Sequence, residues 1–124
     1  MLTKVEAVYF RTITNKLLNL FVINAQIYPL DHRLFLNTEN SEDVLGCCHR
    51  FIDNDGNIQY LITIDESYIR ACYYGRQTKY SLYSDDALIE TICHEIAHIF
   101  FWTHDKDHEK LTKELYNTYK DLIV

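Results

Sequence analysis

The chain has 124 residues, of which 48% are hydrophobic and 24% charged, and we expect one globular domain over residues 1–124. Its formal net charge of −6 gives little support to nucleic acid as a partner, because a sequence-independent grip on phosphates needs a basic face. With three glycines and one proline, long low-complexity linkers are excluded.

Neither a membrane span nor a secretory signal is recognisable in the sequence. The apolar run over residues 17–28 is interrupted by Asn19, Asn24 and Gln26, and no small-residue cleavage site follows it. The four cysteines form no C-x-x-C pair, and we expect them to be free thiols in a reducing compartment. We therefore expect a cytoplasmic protein that does not bind membranes.

The N-terminal third of the chain predicts a helix and then a short strand. Apolar residues recur at helical spacing over residues 3–27, which predicts one long helix that ends before Pro29. Residues 33–37 favour a short strand, and the polar residues 38–43 favour a loop.

A β-hairpin is predicted next. Residues 53–57 (Asp-Asn-Asp-Gly-Asn) are typical of a turn, because Asn, Asp and Gly tolerate a positive φ. Apolar residues flank this turn in strand-like runs, so residues 44–52 and 58–65 are expected to pair as strands. Strand 58–64 is the expected free edge, along which a peptide substrate would add as a further strand.

The C-terminal half is predicted to be mainly helical. Residues 66–75 favour a short helix or an irregular turn that closes at Gly75. Ser84 is a suitable N-cap for a helix over about 85–102, and a last helix is predicted over about 105–122.

The pentapeptide H-E-x-x-H at residues 94–98 is the main chemical signal of the sequence. Residues four apart lie on one helix face, so His94 and His98 can bind one ion. Glu95 lies about 100° around the helix from His94, where a general base for zinc-bound water would stand. The apolar side chains of this helix form a separate stripe: Leu88, Ile92, Ile96 and either Ile99 or Phe100. About two in a hundred shuffled chains would contain the motif by chance, so it needs independent support. The separation of the motif histidines from the apolar stripe provides that support.

A catalytic zinc usually has three protein ligands, so a third must be found outside the motif. His104 is the first candidate, because six residues let the helix end and the chain return to the ion. His108, one helical turn further, is the alternative, and a Glu or a cysteine is a weaker one. His32 and His49 lack such a context and are interpreted as ordinary, partly exposed histidines.

The predicted chemistry is hydrolysis of a peptide bond. Zinc would polarise water and the scissile carbonyl, and Glu95 would take the water proton and pass it to the leaving amine. A further donor would stabilise the negative charge that develops on the carbonyl oxygen. The candidates for this donor are Tyr80, Tyr83, Tyr116, Tyr119 and, if it is not a ligand, His108.

The run 58–65, the segment 86–98 with its H-E-x-x-H motif, and His104 together resemble the SprT-like metallopeptidases and related minimal zincins. The resemblance implies an α+β fold with an N-terminal helix, a three-stranded sheet containing an antiparallel pair, the motif helix and a C-terminal helix. It also implies zinc at His94, His98 and His104, with Glu95 as base. Where that family often has a Gly and an aromatic residue after the third His, this chain has Asp105 and His108.

Two other functions fit parts of the sequence. The domain could be a latent or non-catalytic zinc-binding interaction module, with the apolar residues 122–124 covering its cleft. A deformylase-like amide hydrolase would also use H-E-x-x-H, with Cys47 as the third ligand, but that family's Gly-rich segment is missing here.

Overall fold

A computed structural model describes residues 1–32, 45–75 and 83–123 of the chain. Within these ranges the fold is α+β, with four helices and a small mixed sheet. Its elements are α1 (Lys4–Phe21), β1 (Gln26–Leu30), β2 (Gly46–Ile52), β3 (Ile58–Asp65), α2 (Glu66–Gly75), α3 (Asp85–Phe100) and α4 (Lys106–Ile123). None of the helices in the described part is long and apolar enough to cross a membrane.

Helix α1 is shorter than the sequence predicts. It begins at a capping box, in which Thr3 and Glu6 each accept a hydrogen bond from the other's backbone N–H. It ends at Val22, whose φ of 51° is left-handed and whose N–H bonds to the Leu18 carbonyl. The prediction of a helix through residue 27 is therefore wrong.

The residues after α1 form a strand that the sequence did not predict. Strand β1 pairs in parallel with β3, and Pro29 lies opposite Ile64. A proline is tolerated here because β1 has a neighbour on one side only among the described residues, so its missing N–H breaks no central ladder. The strand and loop predicted over 33–37 and 38–43 lie outside the described residues.

The hairpin prediction is confirmed, but the prediction that strand 58–64 forms the free edge of the sheet is wrong. Strands β2 and β3 are antiparallel, and Gly56 in the turn between them has a φ of +82°. The sheet order is β1-β3-β2, so β3 is the central strand and β2 is the edge within the described part of the chain. The physical reason is that β1 occupies the side of β3 that the hairpin alone leaves free.

The core lies where the helices pack against the sheet and against one another. The predicted stripe of α3 is confirmed for Leu88, Ile92 and Ile96, which are each 0% exposed. At its last position Ile99 packs against the core, whereas Phe100 is 58% exposed. Helix α3 also begins as predicted, with the Ser84 side chain accepting from the Ala87 N–H, but it ends at Phe100 rather than near residue 102. Helix α2 adopts the helical alternative that the sequence left open.

His32 is buried, contrary to the interpretation of it as partly exposed. Its Nε2 lies 2.9 Å from Thr63 Oγ1, and Nε2 of the half-buried His49 lies 3.1 Å from the same hydroxyl. The backbone N–H of His32 donates to Asp65 Oδ1. These bonds offset the cost of burying the imidazole, and they tie the end of β1 to the central strand.

Glu6→Gln should destabilise the protein by about 1–3 kcal/mol, because the Thr3 N–H and Arg70 would lose a charged acceptor. The Thr3 N–H is the main cause that lowers the pKa of Glu6; Arg70 adds to it and burial opposes it. A lowered pKa gives stability that is complete above the unfolded-state pKa and is lost as the pH falls through the folded-state value. The substitution should therefore flatten the acid limb of stability.

Urea unfolding followed by circular dichroism from neutral pH into the acid range measures this limb. Glu109→Gln, an exposed carboxylate in an i,i+4 pair with Lys113, is the control and should leave it unchanged. An acid limb as steep in Glu6→Gln as in the wild type would contradict the assignment.

Candidate metal centre

Helix α3 presents its polar side chains to a cleft of about 690 Å³ beside strand β2. In the H-E-x-x-H segment Glu95 is 5% exposed, His98 is 8% exposed and His94 is half-buried. The apolar stripe described above packs on the sheet, and this fixes which side of the helix faces the cleft. The described residues that line the cleft come from β2, α2, α3, the turn after α3, and α4.

Three histidines lie close enough to bind a metal ion. His94, His98 and His108 each offer a ring nitrogen, and these atoms all lie within 4.8 Å of one another. The fourth histidine is also near: His104 Nε2 lies 3.2 Å from His94 Nε2 and 3.0 Å from His98 Nε2. Ligand nitrogens of a tetrahedral zinc stand about 3.3 Å apart, given a Zn–N distance of about 2.0–2.1 Å.

The hydrogen bonds of His98 and His104 fit a metal site better than a hydrogen-bonded cluster. The Nδ1–H of His98 donates to the Phe101 carbonyl at 3.2 Å, which leaves the Nε2 lone pair free for an ion. His104 Nε2 carries either one proton or one lone pair, so it cannot bond well to two other Nε2 atoms at once. The convergence of three Nε2 atoms is what a shared cation would satisfy.

His108 meets the same cluster in a different way. It is 2% exposed, its Nε2–H donates to the backbone carbonyl of His94 at 2.9 Å, and Asp105 caps its backbone N–H. Its ring stacks on that of His98, with centroids 4.0 Å apart and planes 27° apart. Lone pairs lie in the ring plane, so two stacked rings do not easily aim at one point. His104 and His108, the two candidates for the third ligand, thus both lie beside His94 and His98, but their rings are oriented differently.

The electrostatics favour the neutral form of His94 and His98. Burial is the main cause that lowers the pKa of His94 to about 4, and the neighbouring histidines add to it. Burial likewise lowers the pKa of His98. Since a metal ligand must be an unprotonated imidazole, His94 and His98 are ready to bind a cation at neutral pH.

Glu95 lies beside the centre, where the sequence predicts it. Its Oε1 is 3.8 Å from His94 Nε2, and burial raises the pKa of its carboxyl to about 7. A Cβ on Gly46 would lie 3.0 Å from Glu95 Cγ and 3.1 Å from Ile64 Cδ1. The absence of a side chain on β2 at this point therefore makes room for the carboxylate.

Several cleft residues were missed from the sequence. They are Gly46, Tyr68 and Glu90. Helical periodicity places Glu90 one turn before His94 and could have identified it, whereas nothing local in the sequence points to Tyr68.

The tyrosines that the sequence offered as charge-stabilising donors are not among the described residues that line the cleft. Tyr116 and Tyr119 line a different groove, between α1, α3 and α4, and cannot stabilise charge at this centre. Tyr83 packs edge-on against Tyr68, while Tyr80 is outside the described residues. Cys47 lines the cleft, but no cysteine of the described ranges belongs to the histidine group.

Comparisons of the chain with protein-family models, curated proteins and solved structures gave no match. The fold and the site therefore define the class by themselves. The chain is a small α+β domain whose histidine cluster is spaced to bind a metal ion.

Metal titration will separate the two candidates for the third ligand. The wild type is expected to bind one Zn²⁺ per chain, and His104→Asn should weaken binding more than His108→Asn. Loss of a residue that only orients ligands typically costs about 10–100-fold in affinity, and loss of a ligand costs more.

Competition with a chromophoric chelator measures these affinities, and His49→Asn, outside the cluster, is the matched control. A larger loss in His108→Asn than in His104→Asn would assign the third ligand to His108 instead.

Proposed function

We propose that this protein is a cytoplasmic zinc-dependent peptidase, similar to the SprT-like metallopeptidases and minimal zincins. The observation that carries the proposal is the convergence of three Nε2 atoms beside a buried carboxylate. Two of these atoms and the carboxylate belong to the H-E-x-x-H segment, and the third belongs to His104.

The residues that would hold zinc are His94, His98 and His104. The Nε2 distances of 3.0 and 3.2 Å support His104 over His108, whose ring stacks on that of His98 and so does not easily aim at the same point. Bound zinc would supply a Lewis acid that polarises a carbonyl group and acidifies water. In this arrangement His108 orients the ligands, through the His94 carbonyl and through its stacking on His98.

Glu95 is the proposed general base. A base works best when its pKa lies near the working pH, and burial places the pKa of this carboxyl at about 7 in the protein without a cation. Glu95 would take a proton from the attacking water and pass it to the leaving amine. Its burial between α3 and Gly46 of β2 holds the carboxylate in place for both transfers.

The substrate is proposed to lie along β2, not along β3 as the sequence predicted. Strand β2 is the edge that runs beside α3, and its outer side pairs with no strand of the described residues. An extended peptide could add to it through backbone hydrogen bonds, which accept any sequence. A carbonyl of that peptide would then pass over Gly46 and Glu95.

Glu95→Gln tests the reaction. The variant should bind zinc as tightly as the wild type and lose at least about 100-fold in peptide hydrolysis, because the amide cannot accept the proton. Zinc-loaded proteins are assayed on unfolded proteins and on quenched fluorescent peptides, with Glu109→Gln as the control of equal charge change. Hydrolysis that survives in Glu95→Gln would remove Glu95 as the base.

If neither protein hydrolyses any substrate while both bind zinc, the domain is the non-catalytic or latent zinc module and the peptidase proposal fails. A deformylase-like reaction is the less supported enzyme, since no described cysteine joins the histidine group. Cys47→Ser should accordingly leave zinc affinity unchanged.

Gly46→Ala tests how β2 positions the base. The new Cβ, at 3.0 Å from Glu95 Cγ, should push the carboxylate away and lower kcat while zinc affinity is kept. Gly56→Ala is the matched control: it strains the turn, where φ is +82°, with no atom within 4 Å of the new Cβ. Equal kcat values for Gly46→Ala and Gly56→Ala, both folded, would contradict this role.

A further inference from the structure

We propose that the part of the cleft preceding His94 on α3 is a subsite for a basic side chain of the substrate, with the Glu90 carboxylate as its counter-charge. This inference rests on the proposed peptidase function and names the substrate class that the cleft prefers. Four side chains of the described residues form the subsite: Tyr68, Ala87, Glu90 and Thr91.

Position along the helix places this subsite next to the reacting bond. Glu90 precedes His94 by four residues, so the two lie on one face about one helical turn, or about 5.4 Å, apart. An extended peptide advances about 3.3 Å per residue. A side chain within two residues of the bond over Glu95 therefore reaches Glu90.

Glu90 is an exposed carboxylate of the cleft and has no cation beside it among the described residues. Elsewhere Glu6 pairs with Arg70, Glu66 with the N-terminal amine and Glu109 with Lys113. Glu90 is exposed and makes no ion pair with any described residue. The described residues that line the cleft include no Lys or Arg, so none of them neutralises the charge of Glu90.

The wall of the subsite is shaped for an aliphatic stem with a charged head. Thr91 Oγ1 donates to the Ala87 carbonyl at 3.0 Å, so the Tyr68 hydroxyl must donate to Thr91, at 2.9 Å. With its hydroxyl bonded in this way, Tyr68 offers a fixed ring, and Ala87 leaves space beside it. Lys and Arg place their stems on apolar surface and their heads near a carboxylate or an aromatic face.

Matched peptides that differ at single positions test the subsite. Zinc-loaded wild type should prefer Lys over Glu, by about fivefold in kcat/KM, at one position within two residues of the cleaved bond. Glu90→Gln should remove most of this preference and Glu90→Lys should reverse it. High ionic strength should also weaken it, because the pair is exposed. Glu114→Gln, an exposed carboxylate on α4, is the control and should behave as the wild type.

Binding gives a second readout that does not need turnover. Fluorescence anisotropy of labelled Lys and Glu peptides is measured on zinc-loaded Glu95→Gln, with and without Glu90→Gln. Cleavage without a basic preference, or a preference that survives Glu90→Gln, would overturn the subsite and leave the peptidase proposal intact. Glu90-dependent binding without cleavage by wild type would overturn the peptidase proposal alone, and loss of both overturns both.

Discussion

The burial of one face of α3 against the sheet is the constraint on which the rest of the structure depends. Leu88, Ile92 and Ile96 are fully buried, and each contributes about 2 kcal/mol of hydrophobic stabilisation. Rotating α3 about its axis would expose this apolar stripe to water. The polar side chains on the other face of α3 are therefore held in the cleft. The positions of His94, Glu95 and His98 are thus a consequence of core packing.

Two further features complete the site on this face of α3: the path of the chain after α3 and the contact between α4 and α3. The chain after α3 returns so that His104 meets the motif histidines, while the His98 Nδ1–H bond to the Phe101 carbonyl orients that ring. The bond from His108 to the His94 carbonyl then ties α4 to α3. Because the bond from His108 joins α4 to α3 within the cluster, the arrangement of the histidine rings depends on the packing of α4 on α3.

Strand β2 contributes to the site through a position without a side chain and through its outer edge. Gly46 leaves the space that the Glu95 carboxylate fills, and the outer edge of β2, which pairs with no strand of the described residues, leaves a row of backbone groups beside it. The cleft therefore combines a buried carboxylate, a histidine cluster and a strand edge. In the proposed function, the charge of Glu90 would add selectivity to a site that backbone pairing alone would make indifferent to sequence.

The sequence by itself determined the elements that depend on local spacing. The hairpin, the apolar stripe of α3 and the common face of His94 and His98 follow from periods of two and 3.6 residues. Only the tertiary structure decided which strand is central, since β1 pairs with β3 across more than thirty positions of sequence. It also decided how His104 and His108 meet the cluster and that Gly46 faces Glu95. These features arise from non-local packing of α4 and β2 on α3, which no local pattern encodes.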